Sequence, residues 1–187
     1  MNFKDVPTLS QEQDIADYRA LAEQVPNGSV IVEVGVHKGG SILGLADIIK
    51  RKNLKPVLVD LWDALILHWP DTPDFRAFSQ FSMVECAKNL QGMGLKALMI
   101  CGTSQDAAPW MILYAPALVY IDADHGYQAV KSDIEEWWPL IPSGGILAGH
   151  DYGNENEGVK RAVDEKFGDK VNVNKQTHSW VWWVRKP

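Results

Sequence analysis

Cysteine is scarce in this chain. Only Cys86 and Cys101 occur, in no CxxC spacing and in apolar surroundings, which speaks against a disulfide scaffold or a thiolate metal site and reads as two buried, reduced thiols. Long apolar runs are missing as well: no stretch approaches the roughly 18 apolar residues of a membrane span. The opening MNFKDVPTLSQEQD has no signal-peptide core, so the expectation is a cytoplasmic protein with no membrane partner. Basic residues are outnumbered, 18 against 24 acidic ones, for a formal net charge of −6. No basic block offsets that balance, which argues against a nucleic-acid partner and for a small molecule. The dinucleotide fingerprint GxGxxG, internal repeats, low-complexity tracts and interdomain linkers are absent too.

What is present is an alternation. With 187 residues, 46% of them hydrophobic, the chain is long enough for one domain, residues 1–187, burying about 70% of its unfolded surface. Ser10 and Gln13 have the spacing of a capping box. Ile15, Tyr18, Leu21 and Val25 follow at helical intervals before Pro26-Asn27-Gly28, which makes residues 1–28 an N-terminal helical segment. Buried strands are expected at SVIVEVG (29–35), PVLVD (56–60), ALMICG (97–102), ALVYID (117–122) and GGILAGHD (144–151). Helical patterns lie between them at Ile42–Ile49, 74–90, 104–114 and 127–138, and Val159–Phe167 follows. VNVN and SWVWWVR then sit close enough to pair antiparallel. Strand–helix alternation implies right-handed crossovers and a parallel sheet. Residues 62–82, with two prolines and several aromatics, exceed a minimal connection; they read equally as a lid over the strand ends or as a packed insertion. In this segment Trp62, Trp69 and Phe75 are candidates for an aromatic acceptor pocket. The tryptophans at 137, 138, 180, 182 and 183 read mostly as core, with some left to cover a dimer interface.

Two of those strands end on ionisable groups. ALVYID stops at Asp122, followed by Asp124 and His125, and GGILAGHD stops at His150 and Asp151. In an open parallel sheet the carboxyl ends of neighbouring strands share one crevice, where ligands bind. Oxygen ligands and imidazoles together suit a divalent cation or a general base. Asp122 alone would read as a helix cap, but five such groups at two strand ends weigh against capping only.

Three further segments follow strands. Glu33-Val34-Gly35-Val36-His37-Lys38-Gly39-Gly40-Ser41 is a glycine turn entering a helix, which lets backbone approach a ligand, although many such turns serve packing alone. Asp60, 25 residues beyond Gly35, can accept both hydroxyls of a ribose; its plain alternative is a cap or a solvated charge. In Gly102-Thr103-Ser104-Gln105-Asp106 the polar side chains can read an adenine edge, cap the next helix, or do both.

In order and content these motifs resemble the class I S-adenosylmethionine-dependent methyltransferases, and among them the cation-dependent small-molecule O-methyltransferases. EVGVHKGGS resembles that family's first motif, VLVD its second, GTSQDAAP the adenine-binding segment, and the terminal strand pair its reversed hairpin. IDADHGYQAVKSDIEEWWPLIPSGGILAGHDY is more like a bacterial branch that tailors sugars and antibiotics. The resemblance implies a Rossmann-like three-layer α/β sandwich on a mostly parallel seven-stranded sheet with an antiparallel C-terminal pair. It implies that Glu33, Gly35, Gly39 and Ser41 line the methionine moiety, Asp60 the ribose, and Ser104 and Gln105 the adenine, with Asp122 beside the cofactor. Asp122, His150 and Asp151 fall on the metal positions, and His125 on that of a basic residue able to take the acceptor proton. The chain departs from the pattern at His150, where a carboxylate is usual, and at His125, where lysine is.

Methyl transfer from a sulfonium needs orientation and a deprotonated acceptor, because the cofactor itself brings the electrophile. A cation on Asp122 and Asp151 would acidify an acceptor hydroxyl, and His125 could take the proton near neutral pH. The expected cofactors are therefore S-adenosylmethionine and a divalent cation, Mg²⁺ or Mn²⁺, with His150 admitting Fe²⁺, Zn²⁺ or none. The expected partner is a small hydroxylated acceptor, and homo-oligomerisation is left open. The rivals are a nicotinamide-dependent oxidoreductase, a metal-dependent hydrolase sharing the Asp/His cluster, and a non-catalytic cofactor binder.

Overall fold

The computed structural model of the protein describes residues 6, 10–62, 81–153, 157–176 and 179–187. Seven strands form one sheet: β1 (Val30–Val34), β2 (Lys55–Asp60), β3 (Leu98–Cys101), β4 (Leu118–Ile121), β5 (Ile146–Gly149), β6 (Asn172–Val173) and β7 (Trp182–Arg185). Their order is β3-β2-β1-β4-β5-β7-β6. The first five run parallel, and β7 is antiparallel to both β5 and β6. The expected fold is the one observed.

Period-2 alternation divides the core between the two faces. Ile31, Leu58, Leu118, Tyr120, Ile146 and Ala148 pack under α1 (Glu12–Gln24), α2 (Gly40–Leu43), α3 (Ala46–Lys52) and α4 (Ser82–Gly92). Val32, Val57, Val59, Val119, Ile121 and Leu147 pack under α5 (Ser104–Ala107), α6 (Tyr127–Trp137) and α7 (Glu157–Phe167). Tyr18 of α1 stacks flat on Tyr120 of β4, ring centroids 3.9 Å apart at 14°. This places the first helix directly on the central strands.

Several helix boundaries differ from the sequence expectation. The residue capping α1 is Gln11 rather than Ser10: the Gln11 N–H donates to Asp14 Oδ2 at 2.8 Å. The pattern from Ile42 to Ile49 is two helices, α2 and α3, broken at Gly44-Leu45. A Cβ on Gly44 would lie 2.6 Å from Ile15 Cγ2, so the break brings this backbone hard against α1. The stretch 104–114 is cut short as well. Pro109 forces α5 into a 3₁₀ turn over Ala108–Met111, and Ile112, Leu113 and Tyr114 end up exposed. α6 likewise passes into a 3₁₀ turn at Trp138–Leu140, around Pro139. Of the pattern at 74–90, the described part is α4, from Ser82.

Two side chains also differ. Cys86 is buried but Cys101, on the edge strand β3, is exposed. Trp62 belongs to the core, 1% exposed, with its indole N–H donating to the His37 carbonyl at 2.8 Å, so it is no acceptor-pocket aromatic. Trp69, Phe75 and nearly all of the proposed lid lie outside the described residues. Of the tryptophans at 137, 138, 180, 182 and 183, Trp137 and Trp182 are buried and Trp138, Trp180 and Trp183 half-buried. No helix among the described residues is long and apolar enough to cross a membrane.

Candidate functional site

The strand order reverses between β1 and β4: the chain leaves β1 for β2 and β3 on one side, then returns to β4 on the other. Such a switch point opens a crevice at the carboxyl ends of the strands. Gly35 ends β1 there with φ +85°, and a Cβ at this position would lie 2.0 Å from the Asp122 carbonyl oxygen, so no side chain fits. The Gly35 N–H donates to the Val59 carbonyl at 2.9 Å and the Asp122 N–H to the Val34 carbonyl at 2.7 Å. The three strand ends are thereby held at one level.

Asp60 organises the turn that follows Gly35. Its Oδ2 accepts from Val36 N at 2.6 Å and His37 N at 2.7 Å, and its Oδ1 accepts from Trp62 N at 2.6 Å. The carboxylate that the sequence assigns to a ribose therefore also holds the glycine turn. His37 sits at φ +49° within that turn, and Gly39, at φ +85°, leads into α2. Ser41 at the start of α2 donates its hydroxyl to Glu33 Oε1. Glu33 is fully buried; desolvation pushes its carboxyl up to about 8, and the neighbouring Asp122 charge adds to the rise against the Ser41 hydrogen bond. Its Oε2 and the nearby Tyr18 hydroxyl have no aligned hydrogen-bond partner among the described residues.

After β3, Thr103 caps α5. Its hydroxyl accepts from Asp106 N at 3.2 Å, while Asp106 Oδ2 accepts from Thr103 N at 2.9 Å. Ser104 is buried, its hydroxyl accepting from Trp137 Nε1 at 3.0 Å, and Gln105 is exposed and donates to Ser132 Oγ. Capping is thus observed here. Of the two residues assigned to the adenine, only Gln105 faces solvent.

The acidic and imidazole groups do converge. His125 Nε2 lies 2.9 Å from Asp151 Oδ2 and 4.0 Å from Asp122 Oδ1; His150 Nδ1 lies 3.2 Å from Asp151 Oδ2 and 3.6 Å from Asp122 Oδ1. Asp122, His125 and Asp151 bring one ligand atom each within 4.8 Å of one another. His150 is engaged differently from the metal position that the resemblance implies. Its Nε2 faces Asp14 Oδ2 of α1 at 3.1 Å, an ion-pair contact rather than an aligned hydrogen bond. Burial opposes charge on this ring, but the carboxylates of Asp14, Asp151 and Asp122 outweigh it and hold the imidazole at about 10. By distance alone, the three residues that could share one ion are Asp122, His125 and Asp151. Burial lifts Asp122 to about 6; Asp151, despite burial, is held well below the usual range by both histidines, and its hydrogen bond to His125 raises that imidazole in turn. Asp151 has φ +64°, an unusual backbone conformation for a residue other than glycine. Asp124 closes a local turn, accepting from Gly126 N at 2.7 Å.

A profile described as "Methyltransferase domain" matches residues 32–152, from the middle of β1 to the residue after Asp151. The chain belongs to this methyltransferase family. It is a class I, S-adenosylmethionine-dependent methyltransferase, as its motifs imply. Solved structures similar to this methyltransferase include CalS11, a TDP-rhamnose 3′-O-methyltransferase of calicheamicin biosynthesis, at 18% identity and TM-score 0.68 over 94% of this chain and 80% of that one. The O-methyltransferase NovP matches at 17% identity and TM-score 0.68, over 93% of this chain and 79% of that one. An rRNA methylase from Streptococcus thermophilus matches at 13% identity and TM-score 0.64, over 97% of this chain and all of that one. At such identities the likeness is one of fold. No curated protein sequence matches the chain.

Asp14 is the member of the site that sequence reasoning missed. As a helix-start acid it reads as a cap, and only the tertiary fold sets it against His150.

Proposed function

We propose that this methyltransferase transfers the methyl group of S-adenosylmethionine to a hydroxyl of a small molecule. The observation that carries the reading is the position of Asp122, His125 and Asp151 at the switch point, directly across from the Gly35 turn. The turn at Gly35–Ser41 and Asp60 are assigned to the donor, with Gln105 at the adenine, and the Asp/His cluster to the acceptor. CalS11 acts on a sugar nucleotide hydroxyl, which supports an acceptor of comparable size. A net charge of −6 suits a small acceptor better than a nucleic acid, and we keep the expectation of a cytoplasmic enzyme.

The chain's own residues can supply the proton step. Asp151 accepts from His125 Nε2, which leaves Nδ1 as the basic atom of the neutral ring. His125 is 42% exposed at the rim, within reach of an entering hydroxyl, whereas His150 is buried beneath it. His125 would take the proton of the acceptor hydroxyl as that oxygen is methylated, and S-adenosylmethionine, when bound, would supply the electrophilic methyl group. As an alternative to that role for His125, the set Asp122, His125 and Asp151 fits a divalent cation, and two carboxylates with an imidazole suit Mn²⁺ or Fe²⁺ better than Mg²⁺. Such a cation, when bound, would supply Lewis-acid stabilisation of the acceptor oxygen.

The test is calorimetric titration of the chelator-treated protein with S-adenosylhomocysteine. Micromolar, near-stoichiometric binding supports the donor site and licenses a screen of sugar nucleotides and phenols with and without Mn²⁺. No heat and no melting shift at high ligand concentration would sink the reading.

A further inference from the structure

We propose that Asp14, on the first helix, is a positioning residue of the Asp/His cluster, holding His150 from behind and so fixing Asp151 and, through it, His125. The proposal rests on the reading of that cluster as the acceptor-activating site. Asp14 is 2% exposed, and a carboxylate is buried that deeply only when its oxygens are met by donors. Capping α1 accounts for one contact, the 2.8 Å bond from Gln11 N, and needs no burial. The other contacts lead elsewhere: Oδ1 accepts from Trp180 N at 3.1 Å, just before β7, and Oδ2 faces His150 Nε2 at 3.1 Å.

Both contacts end at Asp151. The ring that Asp14 holds by Nε2 presents Nδ1 to Asp151 Oδ2 at 3.2 Å, and that same oxygen receives His125 Nε2 at 2.9 Å. Trp180, whose N–H Asp14 accepts, receives Tyr152 N on its carbonyl at 3.0 Å, gripping the backbone on the far side of Asp151. Asp151 is thus held from its side chain and from the next peptide, in a left-handed conformation that persists only where surroundings impose it. Asp14 is where the two grips meet. The first helix, outside the segment matched by the family profile, thereby becomes part of the site.

The experiment compares the wild-type chain, Asp14→Asn and Asp14→Ala with Leu21→Ala, which truncates a core side chain of the same helix. Three readouts are taken at matched folded fraction: Mn²⁺ affinity by calorimetry, S-adenosylhomocysteine affinity, and the ring ¹⁵N shifts of His125 at fixed pH. Asp14→Asn retains an oxygen for Trp180 N and is expected to fold. The expected result is a fall of at least tenfold in Mn²⁺ affinity and displaced His125 ring signals, with S-adenosylhomocysteine affinity within threefold of wild type and neither change in Leu21→Ala. Unaltered His125 signals in folded Asp14→Asn overturn the proposal, and so do equal changes in Leu21→Ala. If wild type binds no Mn²⁺, the ring signals decide alone. Failure of wild type to bind S-adenosylhomocysteine would count against the methyltransferase reading without touching the ring comparison.

Discussion

At Glu33 a carboxyl lies wholly inside the protein, one oxygen on Ser41 and the other without an aligned partner among the described residues. Its value is raised from 4.5 to about 8, so between those limits the folded chain holds a proton that the unfolded chain releases. The sign follows: stability is greatest below about 4.5 and declines as pH rises towards 8, by on the order of a few kcal/mol at ~1.36 kcal/mol per unit. Urea unfolding across pH 4 to 9 is expected to show this slope in wild type and a shallower one in Glu33→Gln. His125 titrates in the opposite functional sense. Its imidazole is raised by Asp151 and must lose its proton to act as a base, so turnover is expected to increase with pH above the ordinary imidazole value of about 6.5. His125→Gln is expected to lower kcat by about 10²–10⁴-fold while the affinity for S-adenosylhomocysteine changes little. The residue types of the cluster were legible in the sequence because strand ends on adjacent parallel strands must meet. Which histidine faces which acid was not legible, since that depends on Asp14 arriving from α1.

Strands announce themselves in this chain by short apolar runs, and all five parallel ones fall where those runs are, although β3, expected to be buried, is partly exposed at the sheet edge. Helices were harder, because apolar spacing continues through places where the backbone cannot. Pro109 stops α5 one turn after it begins, and Gly44 breaks α2 from α3 so that the chain can touch Ile15. A comparable contact controls the element beside the site. Gly158, in the first turn of α7, would place a Cβ 2.5 Å from the His125 carbonyl oxygen and 2.7 Å from Tyr127 N. Gly158→Ala must therefore push α7 away from the loop that carries His125. We expect a loss of about 1–3 kcal/mol in chemical denaturation, as for other overpacked positions, together with reduced turnover.

In the whole molecule, the order of strands decides where chemistry can occur, and spacing along the chain does not reveal that order. Nothing in ALMICG states that it lies outside β2, at the edge of the sheet, where the fold puts it. The C-terminal pair completes the sheet by laying β7 against β5. Trp182, 1% exposed, sits over Gly149, where a Cβ would come within 2.8 Å of its indole nitrogen. Trp182→Ala is expected to cost about 3–5 kcal/mol in denaturant unfolding. The damage should reach the site, because β5 runs directly into His150.

The two thiols differ in a way that experiment can use. Cys86 is sealed in the core with its thiol pushed up to about 12, whereas Cys101 stands exposed at the end of β3, immediately before the Gly102–Gln105 segment. A maleimide dye would then attach at a single address on the unmodified chain, beside the place assigned to the adenine. The protein carries its own reporter position, and arrival of the methyl donor could be followed as a change in fluorescence without adding or removing a residue.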